Sequence, residues 1–153
     1  MYLMFMRHGK AEEKKPGMSD EERHLTDEGR RDIMLVSKAL PLKPSIVYSS
    51  PLVRAVETAE IVAGTHEVSL KIVDELRPEL TSLNSIIKIK PPDQALLVGH
   101  APSIERVVSE LIGGGNVKLK AGAVAGIELS TLEAGKGVLR FILTPDIARK
   151  CFE

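Results

Sequence analysis

The stretch Met4-Phe5-Met6-Arg7-His8-Gly9 is the starting point for predicting the fold. It completes an apolar run that begins at Tyr2, and an apolar run with an abrupt polar boundary is typical of a buried strand. A guanidinium, an imidazole and a glycine follow at the carboxyl end of this strand. Open α/β sheets bind their ligands at that end of their strands. The stretch therefore predicts a first strand at residues 2–7 and one part of a binding site.

Two later segments repeat this arrangement of a strand followed by polar groups. Ser49-Ser50-Pro51 follows a short predicted strand at residues 45–48, and a helix that carries Arg54 begins behind it. Val98-Gly99-His100 ends the continuous apolar run 95–98, which is typical of a strand covered on both faces. Because parallel connections bring such strand ends to one edge of a sheet, we expect these polar groups to lie together.

The remaining segments alternate between helical and strand patterns. Thr26 is the predicted N-cap of the first long helix, and Ser50 with Pro51 predicts the start of the second. This order predicts an α/β fold in one domain, residues 1–153, with a mostly parallel sheet between helical layers and a hairpin at the end. The predicted helices cover about residues 27–40, 51–63, 82–89 and 102–112, and the predicted strands cover residues 2–7, 45–48, 68–73, 95–98, 124–129 and 138–143.

The overall composition excludes several classes of partner. The 153 residues carry 21 basic and 21 acidic side chains, and this zero net charge argues against a nucleic acid or an anionic membrane as the main partner. A single cysteine, Cys151, allows neither an internal disulfide nor a cysteine-based metal site. The N-terminal apolar run is too short for a signal sequence, and no stretch is long enough to span a membrane. We expect a soluble, cytoplasmic protein.

The polar groups at the three strand ends predict an anion-binding pocket. Arg7, Arg54, two imidazoles and a helix N-terminus would converge there, which suits a phosphate group best. The alternative for Arg54 is an ion pair with Glu57, three residues further along the same helix. Such a pair would orient the guanidinium and would be compatible with the pocket.

The histidines at the strand ends have plausible chemical roles at phosphorus. A ring N–H of His8 could donate to a nearby backbone carbonyl, which would leave the other nitrogen free for nucleophilic attack. His100 could donate a hydrogen bond to a phosphoryl oxygen as charge develops. His24 and His66 lie in polar segments without companions, so we predict no catalytic part for them.

Three motifs in this order resemble the histidine phosphatase superfamily, the phosphoglycerate mutase-like proteins. They are Arg7-His8-Gly9, the segment from Ser49 to Ala59 with its Arg54, and Val98-Gly99-His100. The resemblance extends over residues 2 to about 112. The short chain, together with Leu25-Thr26-Asp27-Glu28-Gly29 and Pro78-Glu79-Leu80, is similar to the small SixA-like branch of phosphohistidine phosphatases.

The resemblance implies a three-layer α/β/α sandwich and a phosphatase. His8 would accept the phosphoryl group, and Arg7, Arg54 and His100 would bind it, with no metal and no other cofactor. The partner would be a protein that carries phosphohistidine, or a small phosphomonoester. Larger relatives with mutase activity have insertions that cover the substrate, and the small size of this chain favours hydrolysis at an open site instead.

The resemblance leaves the proton donor open. Larger relatives use an acidic residue after the middle strand, and Glu79 is the candidate by position. Asp20, in the long connection at residues 9–23, is its rival. A loop of this length within a compact fold is more often functional than idle.

Other functional classes compete with a phosphatase that acts on phosphohistidine. A general phosphomonoesterase would use the same groups, and a non-catalytic phosphate-recognition module would need only the arginines. Gly113-Gly114-Gly115 suggests a nucleotide-binding loop, but these glycines follow a helix and precede no Lys-Ser or Lys-Thr pair. A metallohydrolase is disfavoured because His8 and His100 lack companions at ligand spacing.

Overall fold

The structure is a computed structural model that describes residues 1–153. Its elements form one six-stranded sheet with helices on both faces, and none of the helices is both long and apolar enough to cross a membrane. The strands are β1 (Tyr2–Arg7), β2 (Val47–Ser49), β3 (Leu70–Ile72), β4 (Ala95–Gly99), β5 (Val124–Leu129) and β6 (Gly137–Leu143). The helices are α1 (Asp27–Ala39), α2 (Val53–His66), α3 (Leu83–Ile89), α4 (Ser103–Leu111) and α5 (Pro145–Cys151).

The first strand divides the core into two halves. Its side chains alternate between the faces of the sheet, as the pleat of a strand requires, and Leu3, Met4, Phe5 and Met6 are all fully buried. Leu3 and Phe5 pack in a cluster with residues of α3 and α4. Met4 and Met6 pack in a second cluster with residues of α1, α2 and α5. The predicted three-layer α/β/α sandwich is therefore confirmed.

The order of the strands brings three strand ends together. The sheet has the order β3-β2-β4-β1-β5-β6, in which the first four strands are parallel and the last two are antiparallel to their neighbours. Strand β4 thus lies between β1 and β2. Arg7 pairs with Gly99, and the His8 N–H donates to the Gly99 carbonyl at 3.1 Å. The Ser50 N–H donates to the Val98 carbonyl, also at 3.1 Å, so the three strands end at one edge.

The start of α1 agrees with the prediction, whereas both ends of α2 differ from it. The Thr26 hydroxyl accepts a hydrogen bond from the Gly29 N–H at 3.0 Å, as an N-cap should. Helix α2 begins at Val53 rather than at Pro51, because the Ser50 hydroxyl instead accepts from the Leu52 N–H at 3.2 Å. The helix also continues through Gly64 and ends at His66, where Glu67 takes a left-handed conformation.

The end of the chain contains one helix that the sequence analysis does not predict. Strands β5 and β6 form the expected antiparallel hairpin, and α5 follows them. The Thr144 side chain caps α5 by accepting from the Ile147 N–H at 3.2 Å, and Pro145 is the first helical residue. This threonine–proline pair is itself a helix-start signal. Ala148 is fully buried in the cluster with α1 residues, so the packing of α5 helps to cover this face of the sheet.

Candidate active site

A pocket of about 440 Å³ opens at the shared edge of β1, β2 and β4. The four residues predicted to hold a phosphoryl group, Arg7, His8, Arg54 and His100, all line it. The other lining residues are Gly9, Lys10, Ala11, Asp20, Arg23, Pro78, Ala101 and Ala121. The structure therefore brings the four predicted groups together, as the parallel strand ends required.

The hydrogen bonds of His8 determine which ring nitrogen carries the proton. Its Nδ1 lies 2.7 Å from the carbonyl oxygen of Gly9, and a carbonyl can only accept, so Nδ1 is protonated. Arg54 Nε donates to His8 Nε2 at 3.2 Å. In the neutral ring Nε2 therefore presents a lone pair to the pocket, as a nucleophile at phosphorus must.

The surroundings of His8 keep its ring neutral. Burial disfavours the imidazolium, and although the hydrogen bond to Gly9 acts in the opposite direction, the nearby cations Arg54 and Arg7 disfavour it further. Together these effects lower the pKa of His8 from 6.5 to about 4. The lone pair on Nε2 is therefore available at neutral pH without a separate base to remove a proton.

All three nitrogen atoms of the Arg54 guanidinium donate hydrogen bonds within the pocket. The residue is 5% exposed, and its Nη1 and Nη2 donate to the backbone carbonyl of Asp20 at 2.9 Å and to its carboxylate at 3.1 Å. The alternative, an ion pair of Arg54 with Glu57, does not form. Glu57 instead accepts from the Leu25 N–H at 2.8 Å and from Arg30 at 2.6 Å, because it faces the chain that enters α1.

Two predictions about the remaining histidines need correction. His24 has a companion, since its Nδ1 lies 3.0 Å from the Glu57 carboxylate. His66 is the last residue of α2 rather than a loop residue, and its Nε2 lies 2.9 Å from the Ser37 carbonyl oxygen. Neither histidine lines the pocket.

Thr58 joins the His8 turn to α2, a role that sequence reasoning missed. Its hydroxyl accepts from the Gly9 N–H at 3.0 Å and donates to the Arg54 carbonyl at 2.8 Å. Gly9 itself packs tightly, since a Cβ there would lie 2.9 Å from Cγ1 of Ile33. Thr58 lies within the Ser49–Ala59 motif, and its spacing of four residues from Arg54 places both on one face of a helix.

His100 is nearly inaccessible to solvent, at 2% exposure, and lies beside His8. The centroids of the two rings are 5.2 Å apart. His100 Nε2 lies 2.8 Å from the Ser50 hydroxyl, so Ser50 orients this ring rather than capping α2, and the buried Nδ1 has no partner. Burial, followed by the proximity of His8 and Arg54, lowers the pKa of His100 to about 3. The ring is neutral in the free protein, and a bound anion would favour its protonation.

The two acidic candidates lie in different places. Asp20 lines the pocket, in a 3-10 turn at Asp20–Glu22 within the long connection. Partial burial raises the pKa of its carboxyl, but Arg54 and Arg23 outweigh that effect and hold the pKa below its usual range. The Glu79 side chain is 63% exposed, lies 3.9 Å from Arg77 and does not line the pocket. No three His, Cys, Asp or Glu side chains are arranged to hold a metal ion.

Comparison with solved structures shows the same fold in several phosphatases. The protein histidine phosphatase SixA complexed with tungstate is 25% identical, with a TM-score of 0.79 over 95% of this chain and 98% of that chain. SixA of Agrobacterium tumefaciens, a candidate phosphohistidine phosphatase, is 18% identical, with a TM-score of 0.81 over 94% and 97% of the two chains. A phosphoserine phosphatase mutant of Entamoeba histolytica in complex with phosphoserine is 19% identical, with a TM-score of 0.69 over 95% and 98%.

Sequence comparison identifies the family. No curated protein matches the chain at a significant level. The family model of the histidine phosphatase superfamily (branch 1) matches residues 3–78, which include β1, its Arg7-His8-Gly9 end and the Arg54 segment. With this match, the pocket at the strand ends and the shared fold, the chain belongs to the histidine phosphatase superfamily.

Proposed function

We propose that the chain is a phosphatase that hydrolyses phosphoryl groups through a covalent phosphohistidine on His8. The observation that carries this proposal is the unprotonated Nε2 of His8, which faces a pocket that three arginines line. A module that only binds phosphate would need the arginines but not a neutral imidazole with its lone pair directed among them.

The reaction has two steps in this proposal. In the first, His8 Nε2 attacks phosphorus, the N–P bond forms, and the bond to the leaving group breaks with its electron pair going to the leaving group. A ring-protonated phosphohistidine leaves as neutral imidazole without a further proton, whereas an alcohol would take one from a donor, for which Asp20 is the candidate in the pocket. In the second, water attacks phosphorus, the N–P bond breaks, and the released phosphate leaves His8 neutral again. The Gly9 carbonyl accepts the Nδ1 hydrogen bond and supports the positive charge that develops on the ring.

The cations around His8 would stabilise the phosphoryl group during both steps. Phosphoryl transfer has a loose transition state with charge on the three equatorial oxygens, so catalysis depends on positioning and on charge complementarity. Arg54 and Arg7 would bind those oxygens. Burial is the main cause of the low pKa of His100, but a bound dianion would offset the added effect of Arg54 and favour a hydrogen bond from His100 to a phosphoryl oxygen.

We propose a protein that carries phosphohistidine as the substrate. The similarity to the protein histidine phosphatase SixA, at 25% identity over 95% of the chain, supports this choice. A phosphohistidine ring leaves as an imidazole, which makes little demand on an acid catalyst. The pocket meets that condition, because the pKa of its only carboxyl, that of Asp20, is lowered.

A small phosphomonoester is the second candidate substrate. The presence of Asp20 within the pocket favours it, because alcohol leaving groups require a proton donor. The similarity to the fold of a phosphoserine phosphatase is compatible with this reaction. The two substrates can be compared directly by kinetics, as argued in the Discussion.

Trapping the intermediate tests the proposed mechanism. The protein would be mixed with an artificial phosphomonoester, quenched without acid and digested, since phosphohistidine is labile in acid. We expect mass spectrometry to find a phosphoryl group on His8, and none in the matched variant His8→Gln. Turnover by wild-type protein without phosphate on His8 would contradict a covalent mechanism, and tungstate binding without any turnover would identify a recognition module.

A further inference from the structure

The segment that precedes β5 holds the end of β1 in place. The Arg7 N–H donates to the Ala123 carbonyl at 3.0 Å, and the Gly122 N–H donates to the Arg7 and His8 carbonyls at 3.1 and 3.0 Å. Arg7 Nη1 donates to the Leu119 carbonyl at 2.9 Å. This loop, residues 116–123, has no helical or strand structure of its own over most of its length, so its position must come from other contacts.

Glu105 supplies one of these contacts from the other side of the loop. Its Oε2 accepts a hydrogen bond from the Leu119 N–H at 2.6 Å. Glu105 lies in the first turn of α4 and is 8% exposed, and Leu119 is 2% exposed. The carbonyl oxygen of the same residue, Leu119, accepts the hydrogen bond from Arg7 Nη1. Glu105 and Arg7 therefore hold one residue between them.

The same helix is tied directly to His100. The Ser103 hydroxyl donates to the His100 carbonyl at 3.0 Å, and the Ile104 N–H donates to that carbonyl at 2.8 Å. Helix α4 thus begins shortly after the pocket residue His100, and its Glu105 contacts Leu119, which binds the pocket residue Arg7. Position 105 holds a carboxylate that is almost buried, although an apolar side chain would be easier to bury there.

We infer that Glu105 is a positioning residue for the phosphoryl-binding arginine Arg7, acting through Leu119. The inference rests on the proposed function, in which Arg7 binds the phosphoryl group. Glu105 fixes Leu119, and the Leu119 carbonyl fixes Nη1 of Arg7, a residue that lines the pocket and whose buried Nε has no partner of its own. Small displacements of a substrate-binding group can reduce rates by up to about a hundredfold. Loss of the hydrogen bond between Glu105 and the Leu119 N–H should therefore lower the reaction rate.

The alternative is that Glu105 only satisfies the buried N–H of Leu119 and contributes to stability. Three variants separate these roles. Glu105→Gln keeps an oxygen at the same reach, Glu105→Asp keeps the charge but is one methylene shorter, and Glu105→Ala removes the acceptor. Ser109→Ala is the matched control, because the Ser109 hydroxyl also joins α4 to the loop that follows it, at the Gly115 carbonyl and away from Arg7.

The experiment measures kcat/KM on an artificial phosphomonoester, the affinity for tungstate and the melting temperature. We expect Glu105→Ala and Glu105→Asp each to lower kcat/KM by about tenfold or more and to weaken tungstate binding, with Glu105→Gln within about threefold of wild type. Ser109→Ala should leave both values unchanged. If Glu105→Ala does not fold, the comparison of Glu105→Asp with Glu105→Gln carries the test.

A double-mutant cycle with Arg7→Ala gives the decisive result. If Glu105 acts through Arg7, adding Glu105→Asp to Arg7→Ala should change tungstate affinity by less than about twofold. Equal, additive losses in both backgrounds would overturn the inference, as would full activity of Glu105→Asp with reduced activity of Glu105→Gln. Failure of the proposed function is distinguishable, because wild-type protein would then not turn over the ester, whether or not it binds tungstate.

Discussion

Arg54 Nε donates a hydrogen bond to Nε2 of His8 across 3.2 Å. The candidate phosphoryl-binding cation and the candidate nucleophile are thus in direct contact before any substrate arrives. The contact holds the His8 lone pair toward the arginine, and it requires that nitrogen to be unprotonated, because both groups would otherwise be donors. A phosphoryl group that enters the pocket would bind to Arg54 and meet Nε2 at the same place.

Replacement of His8 should remove turnover without unfolding the protein. His8→Ala deletes the attacking nitrogen, and the proposed covalent route has no substitute for it among the pocket residues. We expect the rate on an artificial phosphomonoester to fall by at least about a thousandfold, comparable to the loss of a nucleophile in other enzymes. The measurement is steady-state turnover, with circular dichroism to verify the fold.

His66→Ala provides the control for this prediction, because His66 lies at the end of α2 and outside the pocket. It should retain wild-type kcat/KM. Retention of a tenth of the activity by His8→Ala would exclude His8 as the nucleophile.

Replacement of Arg54 should reduce the rate of turnover more than it reduces the stability of the fold. Arg54→Ala removes a charge-assisted donor from the phosphoryl site, and loss of comparable donors costs about 2–4 kcal/mol of transition-state stabilisation. That range corresponds to roughly a hundredfold or more in kcat/KM. Arg54→Lys should restore little, since an ammonium group cannot contact His8 and the Asp20 segment with a planar fork.

Arg30→Ala is the matched arginine control, since Arg30 pairs with Glu57 and does not line the pocket. A loss of less than threefold in Arg54→Ala would mean that Arg54 serves structure rather than phosphoryl binding.

The two pocket histidines should make stability depend on pH in the mildly acidic range. Their pKa values fall from 6.5 to about 4 for His8 and about 3 for His100 in the folded protein. Below pH 6.5 the unfolded chain therefore binds protons that the folded chain does not, and the free energy of unfolding decreases as the pH falls from 6.5 toward 4. For His8 alone, roughly 2 kcal/mol should be lost by about pH 4.5.

Urea unfolding at neutral pH and near pH 4.5 measures this loss. The variant His8→Gln removes one of the two groups, so it should lose less stability than wild type over the same interval. An equal loss in both proteins would show that the folded-state pKa of His8 is close to its ordinary value.

Removal of metal ions should not affect turnover. The proposed route uses the charges of Arg7 and Arg54 and the lone pair of His8, and none of its steps requires a Lewis acid. We expect wild-type kcat/KM to be unchanged after dialysis against EDTA. Strong inhibition that an added divalent cation reverses would favour the metallohydrolase alternative, in which His8 would be a ligand rather than a nucleophile.

The elements around the pocket were predictable where local chemistry determines them. The apolar run before Arg7, the cap at Thr26 and the run before His100 each carry their signal within a few residues. The α5 helix carries such a signal too, in Thr144 and Pro145, although the sequence analysis predicts no element after the hairpin.

Contacts between distant segments were beyond prediction from local patterns. The position of β4 between β1 and β2 depends on the packing of the whole sheet, and it is this order that places His100 beside His8. The partner of Arg54, which is Asp20 rather than Glu57, likewise could not be predicted from local patterns. A spacing of three residues favoured Glu57, but burial of the guanidinium turned it toward a carboxylate 34 residues away in sequence.

The position of Asp20 bears on the substrate through the leaving group. An alkyl phosphate expels an alkoxide, whose conjugate acid has a pKa near that of water, about 15.7. A ring-protonated phosphohistidine releases a neutral imidazole, whose conjugate acid has a pKa near 6.5. Arg54 and Arg23 keep the Asp20 carboxyl ionised in the free protein, and a bound phosphoryl dianion would offset those cations and favour its protonation.

Asp20→Asn should therefore reduce activity on alkyl phosphates selectively. General acids contribute about a hundredfold or more when the leaving group is a strong base, so we expect at least about a tenfold loss in kcat/KM on a sugar phosphate and less than threefold on a phosphohistidine protein. Wild type should prefer the phosphohistidine protein. Glu79→Gln is the matched carboxyl variant, and because Glu79 lies outside the pocket it should change neither rate. A selective loss in Glu79→Gln would return the acid role to Glu79, and equal turnover of both substrates by wild type would assign a general small-molecule phosphatase.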